Sequence, residues 1–234
     1  MKLSRRLAAI AGMIPERSSV ADIGTDHAYL PIYLAKRGTY NTIIATEVSA
    51  GPLARALSNV SEHKMENRVE LRLGSGLEVL SKNEVDVIIM AGMGGTTITE
   101  LLDENRGFLS SLRFLVLQPM GDTAHLRRWL DQNGFFPADE DLVYEEEKYY
   151  EIMAVKKGLD QRYREFRHLV GPCLIEKRHP LLVGFLKEKI RKRRDVLSQL
   201  KRASSAKVKT KEKAMKEETA LYEEVLSWLS ESKT

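Results

Sequence analysis

Asp22-Ile23-Gly24-Thr25-Asp26-His27-Ala28-Tyr29-Leu30-Pro31 decides the fold. A short apolar run, Val20–Gly24, ends at an acidic residue and a glycine, and a helical segment, Ala28–Arg37, follows at once and closes at Gly38. A glycine at a strand end lets the backbone approach a ligand, and the helix start offers free N–H groups. An ordinary tight strand–helix turn has the same D-x-G shape, so the segment gains its meaning from what surrounds it. The dinucleotide fingerprint is absent, because Asp26 and Ala28 stand where further glycines would make room for a pyrophosphate. Asp26 also places negative charge there, which favours a ligand with a cationic group.

Working outward, the pattern alternates. Strands are expected at 41–47, 69–74, 85–92 and 114–119, and helices at 51–64, 96–104 and 123–132. Residues 85–92 form a near-continuous apolar run, as a parallel strand buried on both faces requires. Residues 134–146 and 149–157 then read as two strands with no helix between them. This order implies an α/β, doubly wound, mostly parallel seven-stranded sheet whose final hairpin inserts one antiparallel strand. That ending is the methyltransferase version of the Rossmann-like fold; the dehydrogenase version keeps alternating. Met1–Met13 is expected to be an extra helix over the mouth of the sheet.

Three more elements fall at strand ends. Glu47 stands 25 residues after Asp22, where a carboxylate can accept both hydroxyls of a ribose, and Val48 follows it. A solvated glutamate at a strand end would look the same. Gly74-Ser75-Gly76-Leu77 follows the third strand; its glycines would leave space for a flat ring, with Ser75 at the ring's edge. Ala91-Gly92-Met93-Gly94-Gly95 follows the fourth, and so many small residues imply either a bulky ligand or a tightly constrained turn. All four elements lie at the carboxyl edge of one sheet, where this architecture binds ligands.

Composition limits the classes further. Of 234 residues 43% are hydrophobic and 30% charged, a globular profile. One cysteine, Cys173, excludes an intrachain disulfide and fits a cytoplasmic setting. The N-terminus lacks a signal-peptide pattern, no apolar run suits a membrane span, and the histidines show no metal-ligand spacing, so neither membrane nor metal is expected.

Residues 1–158 are expected to form the catalytic domain and 159–234 a helical one. Residues 1–180 hold 23 Lys+Arg against 25 Asp+Glu, whereas 181–234 hold 14 against 8. Beyond Gly184 there is neither glycine nor proline, and Leu186, Ile190, Leu197, Leu200 and Met215, Tyr222, Leu226, Leu229 recur at mostly helical spacing. Two antiparallel helices of ~25 residues, bent at residues 203–206, would make a coiled-coil-like hairpin nearly ~40 Å long at ~1.5 Å per residue. Charge runs commonly make solvated helix faces. Beside a near-neutral body, the 13 basic and 3 acidic residues from Lys187 to Lys216 also suggest a polyanion-binding element. The candidates are Lys187, Lys189, Lys192, Arg193, Lys207, Lys209 and Lys211.

DIGTDHAYLP, ATEVSAGPL, LGSGLEVL, AGMGG and LQPM, in this order and spacing, closely resemble the bacterial TrmK family, and the resemblance runs on through VGPCLIEKRHPLLVGFLKEKI into the tail. It implies a tRNA methyltransferase that forms N1-methyladenosine at position 22, in the D-arm region, with S-adenosylmethionine as cofactor. Cofactor contacts are then expected from Arg6, Asp22, Gly24, Asp26, Glu47, Val48, Gly74, Ser75, Gly76, Leu77, Ala91, Gly92 and Met93. One departure is Ser75, where the family pattern has aspartate (G-D-G-L); serine is the weaker acceptor for the cofactor's adenine amino group.

Chemistry agrees with a ring nitrogen as target. Adenine N1 carries a lone pair and attacks a sulfonium methyl in line, with no covalent nucleophile. The Asn/Asp-Pro-Pro-aromatic motif of enzymes that methylate exocyclic amines is missing; Ala91-Gly92-Met93-Gly94 stands there. Asp26 is the candidate stabiliser of charge on the methylated base, Tyr29 the candidate base contact, and His27 a proton acceptor or orienting group. Rival readings are a methyltransferase for a small molecule or another RNA position, a non-catalytic RNA-binding protein on this scaffold, and a nucleotide-dependent oxidoreductase. The chain is expected to be monomeric.

Overall fold

The computed structural model describes residues 1–159, 162, 166, 168–200 and 206–231, without the side chains of 200, 206, 207 and 231. It divides into two compact units, Met1–Asp160 and Gln161–Thr234.

In the first unit the elements are α1 (Arg5–Gly12), β1 (Val20–Ile23), α2 (Tyr29–Arg37), β2 (Ile43–Glu47), α3 (Ala50–Glu62), β3 (Glu70–Leu73), β4 (Val87–Met93), α4 (Gly95–Glu104), α5 (Arg106–Leu109), β5 (Phe114–Pro119), α6 (Thr123–Gln132), β6 (Phe135–Glu145) and β7 (Lys148–Lys157). The seven strands run β3-β2-β1-β4-β5-β7-β6. All neighbours pair in parallel except β7, which is antiparallel to both β5 and β6. The sheet reverses direction of winding between β1 and β4, which opens a crevice at their carboxyl ends.

Strand periodicity divides the core between the two faces of the sheet. Val87 and Ile89 of β4 join Ile10, Leu30, Leu34 and Val60 on one face. Ile88 and Met90 join Ile98, Leu102, Leu126 and Trp129 on the other. Side chains alternate across a strand, so an apolar run buries both sets at once. The final hairpin turns at Glu146 and Glu147, both in the left-handed region (φ 49° and 59°), the geometry that matches strand twist in a two-residue turn.

Two elements start later than the sequence suggests. Helix α2 begins at Tyr29 because Ala28 is left-handed (φ 55°) and only flanks it. Helix α1 begins at Arg5, where the Ser4 hydroxyl accepts the Leu7 N–H at 3.3 Å. Glu145 of β6 fastens this helix start by accepting the N–H groups of Arg5 (2.7 Å) and Arg6 (3.4 Å), a favourable place for a carboxylate.

The second unit contains α7 (Pro172–Glu176), α8 (Leu182–Leu200) and α9 (Ala206–Glu231). Helices α8 and α9 run antiparallel: Arg193 pairs with Glu218 and Arg194 with Glu223. Of the apolar stripe Leu186, Ile190, Tyr222 and Leu229 are buried, with Val225 beside them, while Leu197, Met215 and Leu226 are half-buried. Among the described residues helix α8 has 19 residues, starting at Leu182 just after Pro180, which disfavours helix upstream of it. Helix α9 has 26, about 39 Å at ~1.5 Å per residue. The bend expected at 203–206 falls mainly on 201–205, outside the described residues.

Candidate functional site

Asp22 is the penultimate residue of β1 and Glu47 the last of β2, and both side chains are buried. Burial pushes the Asp22 carboxyl up to about 6; the Thr25 hydroxyl, donating to it at 2.6 Å, opposes that shift, and nearby Glu47 adds to it. A carboxyl in this state is poised to ionise against a cationic ligand. Glu47 accepts the Asp26 N–H through one oxygen, which leaves the second oxygen's lone pairs for other donors.

The turn from β1 to α2 is held under strain. Gly24, Asp26 and Ala28 are all left-handed, and two of the three are not glycine; each costs about 1–2 kcal/mol. Helix α3 supplies the restraint. Arg55 pairs with the Asp26 carboxylate at 3.0 Å, and one turn later Asn59 donates to the His27 carbonyl at 2.9 Å. Asp26 also lies 3.3 Å from His27 Nε2, and the His27 ring stacks on Tyr29, centroids 5.2 Å apart and planes 12° apart. The exposed Tyr29 ring is therefore pre-oriented as a flat platform.

Arg6, Leu7, Asp22, Gly24, Thr25, Asp26, His27, Tyr29, Leu30, Ala91, Gly92 and Met120 surround a cavity of about 330 Å³. Eight expected site residues meet there: Arg6, Asp22, Gly24, Asp26, His27, Tyr29, Ala91 and Gly92. Arg6 is no ordinary surface arginine. Its Nη1 donates to Gln118 Oε1 at 2.6 Å, and the guanidinium lies 5.5 Å from the centroid of the Tyr150 ring.

The remaining cofactor candidates lie outside this cavity. The Gly74 N–H bonds the Glu47 carbonyl at 2.8 Å, so the loop after β3 stays beside the β2 end; Ser75 and Val48 are exposed there. The glycines do not leave an open slot for a ring. A Cβ on Gly74 would lie 2.1 Å from Val79 Cγ1, and one on Gly76 2.8 Å from Leu101 Cδ2, so the protein's own side chains fill that room. Leu77 is buried in the core. Met93 packs its methyl group where a Gly24 Cβ would be, 2.6 Å away. Gly95 is a turn constraint rather than a ligand contact, since a Cβ there would meet the Asp122 and Gly121 carbonyls at 2.6 and 2.7 Å.

In the second unit Lys187, Lys192, Lys209 and Lys211 are exposed, Lys192 beside Glu188 on its own helix. Lys189 lies over the Phe185 ring at 4.9 Å. Arg193 pairs with Glu218 at 3.1 Å and covers the Tyr222 ring at 4.6 Å, so its charge already has a partner within the helix hairpin. The Lys207 side chain lies outside the described residues. Among the described residues no cluster of His, Cys, Asp and Glu could hold a metal, and no helix is long and apolar enough to cross a membrane.

Thr25, Gln118 and Met120 lie in the quoted motifs without having been site candidates, and Arg55 and Asn59 were not singled out from sequence. Gln118 carried a usable signal: it is the polar residue ending the apolar strand Phe114–Leu117, the same signature that marked Asp22 and Glu47.

Comparison with known proteins matches residues 20–224 to the model of the TrmK family, tRNA (adenine(22)-N(1))-methyltransferase. The Bacillus subtilis (strain 168) tRNA (adenine(22)-N(1))-methyltransferase is 32% identical over 232 residues, covering 97% of this chain and 98% of that protein. Its crystal structure superposes with a TM-score of 0.88 over 96% of this chain and 99% of that one. Sp1610 of Streptococcus pneumoniae, in complex with S-adenosyl-L-methionine, is 31% identical with a TM-score of 0.85, covering 96% of this chain and all of that one, 100%. M. capricolum TrmK in complex with S-adenosyl-homocysteine is 25% identical with a TM-score of 0.80, covering 97% and 100%.

Proposed function

The chain belongs to the TrmK family of tRNA (adenine(22)-N(1))-methyltransferases, and we propose that its catalytic centre is the cavity between Arg6, Asp22, Tyr29 and Gly92. The enzyme uses S-adenosylmethionine to methylate N1 of adenine 22 in tRNA. The observation that carries the site assignment is the pair of buried carboxylates, Asp22 and Glu47, at adjacent strand ends beside left-handed Gly24. Those groups suit a ligand that is cationic at one end and carries a ribose diol at the other.

The cofactor supplies an electrophilic methyl group on a sulfonium. Asp22, ionised, holds the amino group; Arg6 holds the carboxylate; Glu47 accepts the ribose hydroxyls; and Val48 with Gly74–Leu77 borders the adenine. Gly24, Ala91, Gly92 and Met93 shape the walls between these ends. Tyr29, fixed by His27, stacks on the target base. Asp26 stabilises the positive charge that methylation places on that base, and His27 takes the N6 proton or orients its neighbours. Catalysis then rests on positioning and fixed charge. Lys187, Lys189, Lys192, Lys209 and Lys211 contact the tRNA backbone. A monomer acting in the cytoplasm, where tRNA is found, completes the reading. The test is mass spectrometry of tRNA nucleosides after incubation with enzyme and cofactor, with the modified position mapped. The absence of N1-methyladenosine at position 22 would refute it.

Asp22 makes cofactor binding depend on pH. Its folded-state value, about 6, lies above the ordinary ~3.9. The free protein therefore holds this proton at pH 5 and has mostly lost it at pH 7.5. On stability alone the sign is unfavourable at high pH: the contribution is full below pH ~4 and lost as pH rises through about 6. A cationic ligand that requires the carboxylate must displace the proton, so S-adenosylmethionine should bind about tenfold more weakly at pH 5 than at pH 7.5. Calorimetry at the two values, with Asp22→Asn as control, decides; equal affinities in the parent would remove Asp22 from the amino-group site.

Glu47→Gln should weaken S-adenosylmethionine binding by about tenfold, near the lower end for a charged hydrogen bond. The amide oxygen still accepts the Asp26 N–H, so the turn is kept and only the second, charged acceptor is lost. An unchanged dissociation constant would sink the ribose assignment.

A further inference from the structure

Gln118 is fully buried at the end of β5 and does not itself line the cavity, yet it touches three residues that do. Its Oε1 accepts from Arg6 Nη1 at 2.6 Å and from the Gly92 N–H at 3.2 Å. Its Nε2 donates to the Pro119 carbonyl at 2.9 Å and lies 3.6 Å from Met120 Sδ. Those Nε2 contacts fix which end of the amide faces Arg6, so the oxygen is the acceptor.

An arginine on a short helix ordinarily samples many rotamers and loses that freedom when immobilised. Here one of its five N–H donors is committed to Gln118 and the ring of Tyr150 flanks the plane. The other donors stay in a fixed plane at the cavity wall. The acceptor that fixes the guanidinium is a neutral amide. A glutamate in the same place would fix it equally well, but would cancel its charge and repel an incoming carboxylate. The same oxygen also ties the left-handed Gly92 (φ 78°) to β5, so the end of β4 and Arg6 share one anchor.

We infer that Gln118 is a positioning residue that pre-orients Arg6 as the receptor for the carboxylate of the cofactor's amino-acid end. This rests on the assignment of Arg6 to that carboxylate. The experiment compares two ligands by calorimetry: S-adenosylhomocysteine, which carries the amino-acid end, and 5′-methylthioadenosine, which lacks it. In Gln118→Glu the affinity for S-adenosylhomocysteine should fall about ten- to a hundredfold while that for methylthioadenosine is unchanged. Gln118→Leu should show a smaller selective loss, and it keeps the test available should the buried glutamate impair folding. Arg6→Met is measured in parallel and should lose the same selectivity. If Arg6→Met shows the selective loss and neither Gln118 variant does, this inference is overturned and the Arg6 assignment stands. Equal losses for both ligands in the Gln118 variants reduce the residue to a structural one and overturn it as well. If Arg6→Met shows no selectivity, the Arg6 assignment fails and takes this inference with it.

Discussion

Arg127→Met should destabilise the methyltransferase unit by about 3–5 kcal/mol, the range for breaking a buried ion pair by removing one partner. Arg127 of α6 is buried, with Glu140 of β6 and Glu151 of β7 at 0% and 5% side-chain exposure. Its Nη1 bonds Glu140, and its Nη2 bonds Glu151 Oε2 at 2.9 Å. The two carboxylates hold its proton more tightly than usual, and this outweighs burial, which pushes the other way. Methionine replaces the volume and leaves two buried carboxylates without their shared cation. For a unit of this size the loss corresponds to a fall in Tm of roughly 10 °C. The two tryptophans, Trp129 and Trp228, fall one in each unit, so Trp129 fluorescence in a Trp228→Phe background follows the relevant transition. The triple variant Arg127→Met, Glu140→Leu, Glu151→Leu should recover much of the loss, since an apolar replacement of a whole buried ion cluster is often neutral. A single variant within about 1 kcal/mol of the parent, the usual effect of an ordinary substitution, would mean that the carboxylates find other compensation.

That cluster was invisible in the sequence, and the reason is general to what could be read and what could not. The alternation of strands and helices and the antiparallel insertion by the final hairpin were legible because each rests on a local signal: an apolar run ended by a carboxylate or a glycine. Asp22, Gly24 and Glu47 were placed at the ends of their strands in this way. Arg127 sits on an amphipathic helix like any surface arginine, and only the return of a hairpin 13 and 24 residues later makes it buried. Arg55 and Asn59 restrain the turn between β1 and α2 from 29 and 32 residues away, with nothing unusual in their own helix. Glycines misled in a different sense. Gly74, Gly76 and Gly95 signalled correctly that something comes close, but the neighbours are Val79, Leu101 and the 121–122 backbone. A missing Cβ does not say whether a ligand or the protein occupies the space. The tail has the same ambiguity, because Lys187 and Arg193 are both basic residues of α8 and only the partner helix decides which is internal.

This distinction yields the prediction with the clearest contrast. Changing Lys187, Lys209 and Lys211 together to glutamine should weaken tRNA binding by roughly a hundredfold at ~0.15 M salt, at a slope of about 0.9 per phosphate contact. All three side chains are exposed, so their removal leaves the buried stripe of Leu186, Ile190, Tyr222 and Leu229 intact. The log–log salt dependence should become shallower by about 2.7 if each lysine meets one duplex phosphate. Arg193→Gln should behave differently. Its charge is committed to Glu218 and its plane to Tyr222, so it should lower the stability of the helical unit while barely changing the salt slope. Binding of tRNA across a salt series, with circular dichroism melts of each variant, separates the two effects. If the triple variant binds and methylates tRNA like the parent at every salt concentration, the basic excess is a solvated helix face and the RNA-binding role of the tail is wrong. If Arg193→Gln flattens the salt dependence as much as the loss of a lysine does, the hairpin must release that arginine to the RNA, and its pairing with Glu218 is a resting arrangement that substrate replaces.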